Sequence, residues 1–303
     1  MKTAFKAIAF PLVLLFFSCI SFAQTGASPA LYEAQKGELK LQIVGSIHAG
    51  RDSFYPLSSD IEHAFEQADV LYLEIAPEHM TAPMIQQAMM QYGVLSTPIP
   101  LSKRMNSELY AKLVKELQVS RLPAHQLMFM RDWSVVIQLT VAAIERMGLN
   151  SDHGVDQYFA QKADSKGIPV LGLETLDDQF SALSSMDNIG ADALYQNYFD
   201  ELALSEQWLT DVEAAWRNGN SQSLNTLYTE YDARQIDSET MQKLLIDRNI
   251  NWQKTLSTLK DDKVYMVVVG DMHVHGDTNI LQLLKQSGFE ITRINKTTST
   301  SNK

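Results

Sequence analysis

The chain has 303 residues, of which 45% are hydrophobic and 20% are charged, so it is long enough for one large globular domain or two small ones. Its 36 acidic and 25 basic side chains give a formal net charge of −11, which repels nucleic acid and anionic lipid surfaces. Composition therefore predicts a globular protein without a nucleic-acid partner.

A secretory signal peptide is predicted for residues 1–23. Two lysines precede an apolar run from Ala7 to Phe17, and Ser21 to Ala23 supply the small residues of a cleavage site. The run is shorter than the about 20 residues of a membrane-spanning helix, which favours cleavage after Ala23 over a permanent anchor. Cleavage removes Cys19, the only cysteine, so we expect a periplasmic or secreted protein without disulfides or a stable membrane anchor.

Polar segments flank the predicted folded domain. Residues 24–34 are small and polar and predict a tether, whereas residues 295–303 are rich in Ser, Thr and Lys and predict a disordered tail. The folded domain is therefore expected over residues 35–294.

Five segments have the composition of β-strands, and helical patterns separate them. The segment Leu57–Ala68 predicts a helix between the first two strands, and such strand, helix, strand units normally place their strands parallel. A second amphipathic helix before Gly167 repeats this arrangement. The predicted strands are Leu39–His48, Val70–Ala76, Val170–Glu174, Lys263–His273 and Phe289–Ile294.

Two long segments, near residues 83–148 and 179–259, contain helical periodicity and almost no strand signal. We interpret them as helical blocks inserted into the sheet-forming sequence. The predicted fold class is therefore α/β, with a small mainly parallel sheet and two large helical insertions.

Titratable side chains occur where four of the predicted strands end. The motif Gly-x-x-His occurs in "IVGSIH", which ends in His48, and in "VVVGDMH", which ends in His273. The two other strands end near Glu74 and Glu174. Because the carboxyl ends of parallel strands meet at one edge of a sheet, we expect these four side chains to converge.

Two histidines and two glutamates predict a divalent metal site. Imidazole nitrogens and carboxylate oxygens suit Zn²⁺, Mn²⁺ or Co²⁺, and a catalytic site uses about three of them and leaves a position for water. A carboxylate that is not a ligand can then act as general base. The sequence leaves open which glutamate has which role, and Asp271 and His275 are expected only to support His273.

The chain resembles the TraB/GumN family, related to the Tiki and PrgY proteins, which are described as metal-dependent proteases. The similarity covers most of residues 35–294 and includes the segments "VGSIHAG", "ADVLYLEI", "GVDQYFAQKADSKGIPVLGLETLDDQF", "DRNINW" and "VVVGDMHVHGDTNILQLLKQSGFEI". Many relatives have Gly-x-Gly-His in the last motif, whereas this chain has Gly-Asp-Met-His. The acidic and the bulky residue inside this motif are expected to affect substrate preference and metal affinity.

The resemblance implies that His48, His273 and Glu74 bind the metal. It also implies catalytic roles for Glu74, Glu174 and Arg248, with Arg248 holding a carboxylate or a developing oxyanion. A helix-surface ion pair explains Arg248 equally well, and helix capping explains Asp156 in "GVD" at least as well as catalysis does. The neighbouring Asn249 matches a recurring family position.

The sequence therefore predicts a secreted metal-dependent hydrolase, most simply a peptidase that acts on a peptide or a small ester. One alternative is a metal-independent esterase with His48 as base, since the family distantly resembles erythromycin-esterase-like proteins. Another is a protein that binds metal, haem or peptide without turnover. The sequence does not predict the oligomeric state.

Overall fold

A computed structural model describes residues 26–235, 238–260 and 262–295, without the side chains of residues 205–206 and 231–238. The predicted signal peptide and residues 296–303 of the predicted tail lie outside this range. Within it, no helix combines the length and apolarity needed to cross a membrane.

In the described residues, six strands form a single mixed sheet in the order β4-β3-β5-β2-β1-β6. Strands β2, β5, β3 and β4 are parallel, whereas β1 is antiparallel to both of its neighbours. The predicted mainly parallel sheet is thus confirmed. The strands are β1 (Leu31–Lys36), β2 (Leu39–Ser46), β3 (Val70–Leu73), β4 (Val170–Gly172), β5 (Val264–Gly270) and β6 (Glu290–Arg293).

The same part of the chain contains twelve α-helices, most of them in the two predicted helical blocks. They are α1 (Ser59–Glu66), α2 (Ala82–Ala88), α3 (Ser107–Ser120), α4 (Ala124–Leu127), α5 (Asp132–Arg146), α6 (Val155–Lys166), α7 (Leu176–Ser184), α8 (Ala191–Arg217), α9 (Ser221–Gln235), α10 (Ser238–Met241), α11 (Asp247–Ser257) and α12 (Ile280–Gln286). A π-helical turn, Gln242–Ile246, connects α10 directly to α11.

The predicted tether and tail need correction at their inner ends. Strand β1 begins at Leu31 inside the predicted tether, and Ala27 and Ala34 are also buried. The Asn295 side chain is buried and accepts a hydrogen bond from the Leu31 backbone at 2.8 Å. The sequence does not predict β1, because this segment contains Tyr, Glu, Gln and Lys and only a few apolar residues. Its apolar residues become buried only when it pairs with β2 and β6.

Strand β5 lies at the centre of the sheet although it comes late in the sequence. It pairs with β2 on one side and β3 on the other, and Tyr265 to Gly270 are all buried. The strands β2 and β3, which α1 connects, are parallel but are separated by β5. The register places Ser46 beside Gly270 and Leu73 beside Val268, so these strands end at the same edge.

Helices cover both faces of the sheet. Successive residues of the central strands point to opposite faces, and they are apolar on both faces. On one face, Phe65 of α1, Phe159 of α6 and Trp216 of α8 pack against Val44 and Val268. The opposite face is covered by α11 and α12, through the buried residues Trp252, Leu256, Ile280, Leu281 and Leu284.

The two helical blocks share one further hydrophobic core. Leu113 of α3 and Trp133 of α5, from the first block, belong to the same buried cluster as Phe180 of α7 and Tyr195 of α8. Ile75, which directly follows the Glu74 position after β3, belongs to the same core. The blocks therefore pack together next to the edge of the sheet where the parallel strands end.

We expect Leu113→Ala to destabilise the protein by about 2–5 kcal/mol, because truncation leaves a cavity in the shared helical core. Leu113 is 0% exposed, whereas Val119 on the same helix is 59% exposed. The control Val119→Ala should change stability by less than about 0.5 kcal/mol. Urea unfolding followed by circular dichroism measures both values, and equal losses would contradict the packing of α3.

Candidate functional site

The four side chains predicted to converge lie at the same edge of the sheet. Glu74 follows β3 directly, His48 lies two residues beyond β2, and Glu174 lies two residues beyond β4. After β5 the chain forms a short 3-10 turn, Asp271–Val274, which contains His273. The predicted convergence is therefore present in the structure.

Glu74 is the centre of this cluster. Its Oε1 atom lies 3.8 Å from His48 Nε2 and 3.9 Å from His273 Nε2, and it accepts a hydrogen bond of 2.7 Å from the Gly270 backbone. Its Oε2 atom accepts a hydrogen bond of 2.6 Å from Arg248 Nη2. One carboxylate thus contacts both Gly-x-x-His segments and the helix α11.

Arg248 connects the two glutamates. Its Nε and Nη2 atoms donate to the two oxygens of Glu174 at 2.9 and 2.7 Å, and Nη2 also donates to Glu74. The guanidinium lies over the Trp252 ring at 4.8 Å, and Trp252 Nε1 donates to Glu174 at 3.2 Å. The Arg248 side chain is 13% exposed. Arg248 is therefore a mostly buried, bidentate partner of Glu174 and not part of a surface ion pair.

His273 is held in one tautomer. Asn249 Nδ2 donates to the Thr278 carbonyl at 3.0 Å, so its Oδ1 atom faces the ring and accepts from His273 Nδ1 at 2.8 Å. The Nε2 lone pair then accepts from Arg248 Nη1 at 3.2 Å. Desolvation, which outweighs the charge of Glu74, lowers the pKa of His273 to about 3, so this histidine is neutral at pH 7.

His48 differs from His273 because its side chain is 61% exposed. Its Nδ1 atom lies 3.3 Å from Asp156 Oδ1, at the start of α6. Desolvation lowers the pKa of His48, but the hydrogen bond to Asp156 and the charge of Glu74 outweigh it and raise this pKa to about 9. Water screens both effects at this exposure, and the upward direction follows from the two adjacent carboxylates.

The pKa values of Glu74 and Glu174 shift in opposite directions, although burial raises both. Desolvation opposes the ionised form of Glu74, but the two histidines, Arg248 and the Gly270 N–H lower its pKa to about 2. Because His273 is neutral at pH 7, His48, Arg248 and Gly270 are the groups that keep Glu74 ionised there. Desolvation raises the pKa of Glu174, although Arg248 and Trp252 donate to it.

The two motif glycines have different structural roles. A Cβ atom at Gly270 would lie 3.1 Å from both His48 Nε2 and Glu74 Oε1, so the missing side chain keeps the space between these groups open. A Cβ atom at Gly45 would lie 2.1 Å from Asp271 Oδ1. Gly270 therefore opens the site, whereas Gly45 provides room for the Asp271 carboxylate.

Asp271 and His275 form a separate buried pair next to the site. The turn after Gly270 ends the strand alternation, so these side chains do not join Glu74. Asp271 Oδ2 accepts from Tyr228 at 2.9 Å and lies 3.2 Å from His275 Nε2. These contacts connect the turn that carries His273 to helix α9, which agrees with the predicted supporting role.

Sequence reasoning gave three contributors too little weight. Helix capping explains Asp156 in the sequence at least as well as catalysis does, whereas in the structure its carboxylate contacts His48. Trp252 lies in the predicted helical block 179–259, where an apolar side chain indicates a core position, yet it contacts Arg248, Glu174 and His273. Gln179 was not considered, and its Nε2 atom lies 3.4 Å from Glu74 Oε2. The contacts depend on elements that are far apart in the sequence, so only "GVD" and "DRNINW" contained a usable signal.

The donor chemistry of the site fits a divalent cation, with one adjustment. His48 Nε2, Glu74 Oε1 and His273 Nε2 face one another, and three carboxylates oppose a single guanidinium, which leaves an excess of negative charge. Ligands of one Zn²⁺ ion lie about 3.3–3.5 Å apart, somewhat closer than the 3.8 and 3.9 Å here. Accordingly, the described residues hold no cluster of three or more His, Cys, Asp or Glu already close enough to bind a metal.

Comparisons with known proteins cover nearly the whole described range. A model described as the TraB/PrgY/gumN family matches residues 30–293. The uncharacterized protein YbaP of Escherichia coli (strain K12) is 23% identical over 258 residues, 85% of this chain and 92% of YbaP. YbaP of Shigella flexneri has the same identity and coverage. No solved structure matches the chain.

We expect Gly45→Ala to destabilise the protein by about 1–3 kcal/mol, because the added methyl group overlaps the Asp271 carboxylate. Gly270→Ala should cost clearly less, since its φ of −49° suits alanine and the nearest atoms belong to side-chain ends. Thermal unfolding of both variants provides the comparison. A larger loss for Gly270→Ala would contradict the different roles of the two glycines.

Proposed function

Because the chain belongs to the TraB/PrgY/gumN family, we propose that the cluster around Glu74 is the active site of a metal-dependent hydrolase that cleaves peptide bonds. His48, Glu74 and His273 are the proposed ligands, and Zn²⁺, Mn²⁺ or Co²⁺ is the proposed metal. We further propose that the predicted signal peptide directs the enzyme to the periplasm or out of the cell.

One observation carries this proposal. Both histidines direct Nε2 toward the same oxygen of Glu74, while each Nδ1 contacts a side-chain oxygen on the far side of the ring. Asp156 is that partner for His48, and Asn249 is that partner for His273. Metal-binding histidines typically donate their second nitrogen to a carboxylate or carbonyl oxygen, which orients the ring. The arrangement supports a role as ligands for both histidines.

The contacts also favour a division of roles between the two glutamates. Glu74 faces both histidines and stays ionised because its pKa is lowered to about 2, which suits a ligand better than a base. Both oxygens of Glu174 accept hydrogen bonds from Arg248, so Glu174 is proposed to position this guanidinium. The sequence suggested that the glutamate that is not a ligand acts as general base. The contacts favour the positioning role for Glu174 over this one, because both of its oxygens already accept hydrogen bonds.

Arg248 is the proposed stabiliser of negative charge in the reaction. Its Nη1 atom faces His273 Nε2 at 3.2 Å, next to the space that Gly270 leaves open. A fixed cation at this place can stabilise the oxyanion of a tetrahedral intermediate. A bound divalent metal would polarise the carbonyl group of the substrate and lower the pKa of a water molecule.

A metal-independent esterase is the second candidate. The His48–Asp156 contact and the hydrogen bond of Arg248 to the lone pair of His273 favour it, because neither needs a metal. However, the two adjacent carboxylates raise the pKa of His48 and favour its protonated form, which suits an acid rather than the base of this mechanism. Binding of a metal without turnover is the third outcome that experiments must distinguish.

We expect residues 24–303 to bind about one divalent metal ion per chain and to lose it in the double variant His48→Ala/His273→Ala. Inductively coupled plasma mass spectrometry after dialysis against Zn²⁺, Mn²⁺ or Co²⁺ measures the stoichiometry. Asp156→Ala should weaken metal affinity about 10–100-fold, because the ring of His48 loses its orienting partner. The matched control is His125→Ala, which changes an exposed histidine outside the site.

The same samples should hydrolyse fluorescein-labelled casein, and chelation or Gly270→Ala should abolish this activity. Equal metal content in wild type and the double variant would overturn the ligand assignment. Hydrolysis of p-nitrophenyl acetate that persists after complete metal removal would instead support the esterase mechanism. A bound metal without hydrolysis of either probe would support a binding protein.

We expect Arg248→Lys to lower the hydrolysis rate about 10²–10³-fold, because lysine keeps the charge but cannot donate to both glutamates in this geometry. The metal content should change little. Initial rates with labelled casein provide the measurement, and Arg121→Lys, an exposed site on the helical block, is the matched control. A variant with wild-type rates would exclude Arg248 from the reaction.

A further inference from the structure

We propose that a cavity in the first helical block, between α3, α4 and the 3-10 turn Leu101–Lys103, binds a single-chain amphiphile with a carboxylate head group, such as a fatty acid. The cavity has a volume of about 600 Å³, within the range of about 300–1,000 Å³ typical of small-molecule sites. Its described lining residues all fall within residues 100–128, and none belongs to the cluster around Glu74. The proposal thus concerns a site separate from the proposed hydrolase centre.

The inner part of this cavity is apolar. Leu101 and Leu117 are buried and belong to the core of the helical blocks. Tyr110, Val114 and Met128 are partly buried and also line the cavity. An alkyl chain in contact with these side chains removes their surface from water, which favours binding.

The outer part of the cavity carries a cation. Arg121, at the end of α3, and His125 on α4 are both exposed and line the cavity. The described lining residues include no Asp or Glu. A guanidinium at the solvent side of an apolar pocket favours an anionic head group and repels a cationic one. His125 adds a ring N–H that can donate to the same carboxylate.

The Arg121 guanidinium is available for a ligand. Among the described residues, neither this group nor the His125 ring has an ion-pair or hydrogen-bond partner. By contrast, Arg146 of the same helical block donates to Glu116 at 2.6 Å. A guanidinium can donate to both oxygens of a carboxylate at once, so the head group of the proposed ligand supplies the partner that Arg121 lacks.

The backbone of Arg121 is also unusual. Its φ of 56° lies in the left-handed region, and it is the one non-glycine residue with positive φ in the described part of the chain. Glycine is common at such helix ends, because a side chain makes this conformation less favourable. A cation near a helix C-terminus offsets part of this cost. An arginine thus lies at the mouth of the cavity, at a position where the backbone favours glycine.

The local charge agrees with an anionic ligand. Residues 99–130 contain five Lys or Arg residues and two Glu residues, which gives +3, whereas the whole chain has a formal net charge of −11. The cavity therefore lies in a basic segment of an acidic protein, and this segment attracts anions.

Three probes with one chain length test the choice of head group. Octanoate is anionic, octanamide has nearly the same shape without the charge, and octyltrimethylammonium is cationic. Isothermal calorimetry on residues 24–303, kept metal-free with a chelator so that octanoate has no metal to bind, measures the affinities. We expect saturable binding of octanoate, at least about 10-fold tighter than that of octanamide, with octyltrimethylammonium the weakest.

Methionine methyl groups report where the probe binds. Met128 lines the cavity, whereas Met84 is 41% exposed on α2 and does not. Nuclear magnetic resonance of protein with carbon-13-labelled methionine methyl groups resolves both signals, and Met128→Leu and Met84→Leu assign them. Octanoate should shift the Met128 signal saturably and leave the Met84 signal unchanged. The opposite pattern would overturn the proposal.

Two variants separate the head group from the chain. Arg121→Gln/His125→Gln should lower the affinity for octanoate to that for octanamide, whereas Lys254→Gln, which removes an exposed cation outside the cavity, should change neither. Val114→Trp should abolish binding of both probes, because the indole fills the cavity. Circular dichroism checks that each variant is folded.

The double variant His48→Ala/His273→Ala should bind octanoate as wild type does, so failure of the hydrolase proposal leaves this result intact. No saturable binding of octanoate to the wild-type protein, or equal affinity for octanoate and octanamide, would overturn the proposal. These two outcomes are measured on the wild type and do not depend on the folding of any variant.

Discussion

The buried contact of Arg248 with Glu74 and Glu174 is the interaction on which the site depends. Two carboxylates that are at most 9% exposed lie beside each other, and one guanidinium donates to both of them and offsets their repulsion. Arg248 lies on α11, whereas the glutamates follow β3 and β4. The same contact therefore joins the sheet to a helix that covers one of its faces and aligns the groups proposed to act on the substrate.

Close backbone approach is the second requirement of this edge of the sheet. Strands β2 and β5 run side by side, and each carries a glycine where a neighbouring side chain needs the space. At Gly45 that side chain is Asp271, which Tyr228 and His275 also contact. At Gly270 the free space lies among the proposed ligands. A repeated sequence motif thus serves stability in one strand and access in the other.

The two histidines show how environment separates residues with the same motif. His273 is buried beside Trp252 and Arg248, so its neutral form is favoured, whereas His48 is exposed beside two carboxylates, so its protonated form is favoured. At the proposed metal site, a divalent cation would have to displace the proton of His48 and the hydrogen bond from Arg248 to His273. The proposed metal would therefore compete with a proton for the Nε2 electron pair of His48 and with Arg248 for that of His273. The second competition connects the proposed ligands to the proposed oxyanion site.

By itself, the sequence determined the strand ends at which His48, Glu74, Glu174 and His273 lie, because apolar runs and parallel connections are local patterns. It also predicted the helical blocks and the family. Only the tertiary structure decided that β5 lies between β2 and β3, that Leu31–Lys36 joins the sheet, and that Asp156 and Trp252 contact the site. Local patterns specify which segments form strands and helices, whereas strand order and side-chain partners depend on packing between segments distant in the chain.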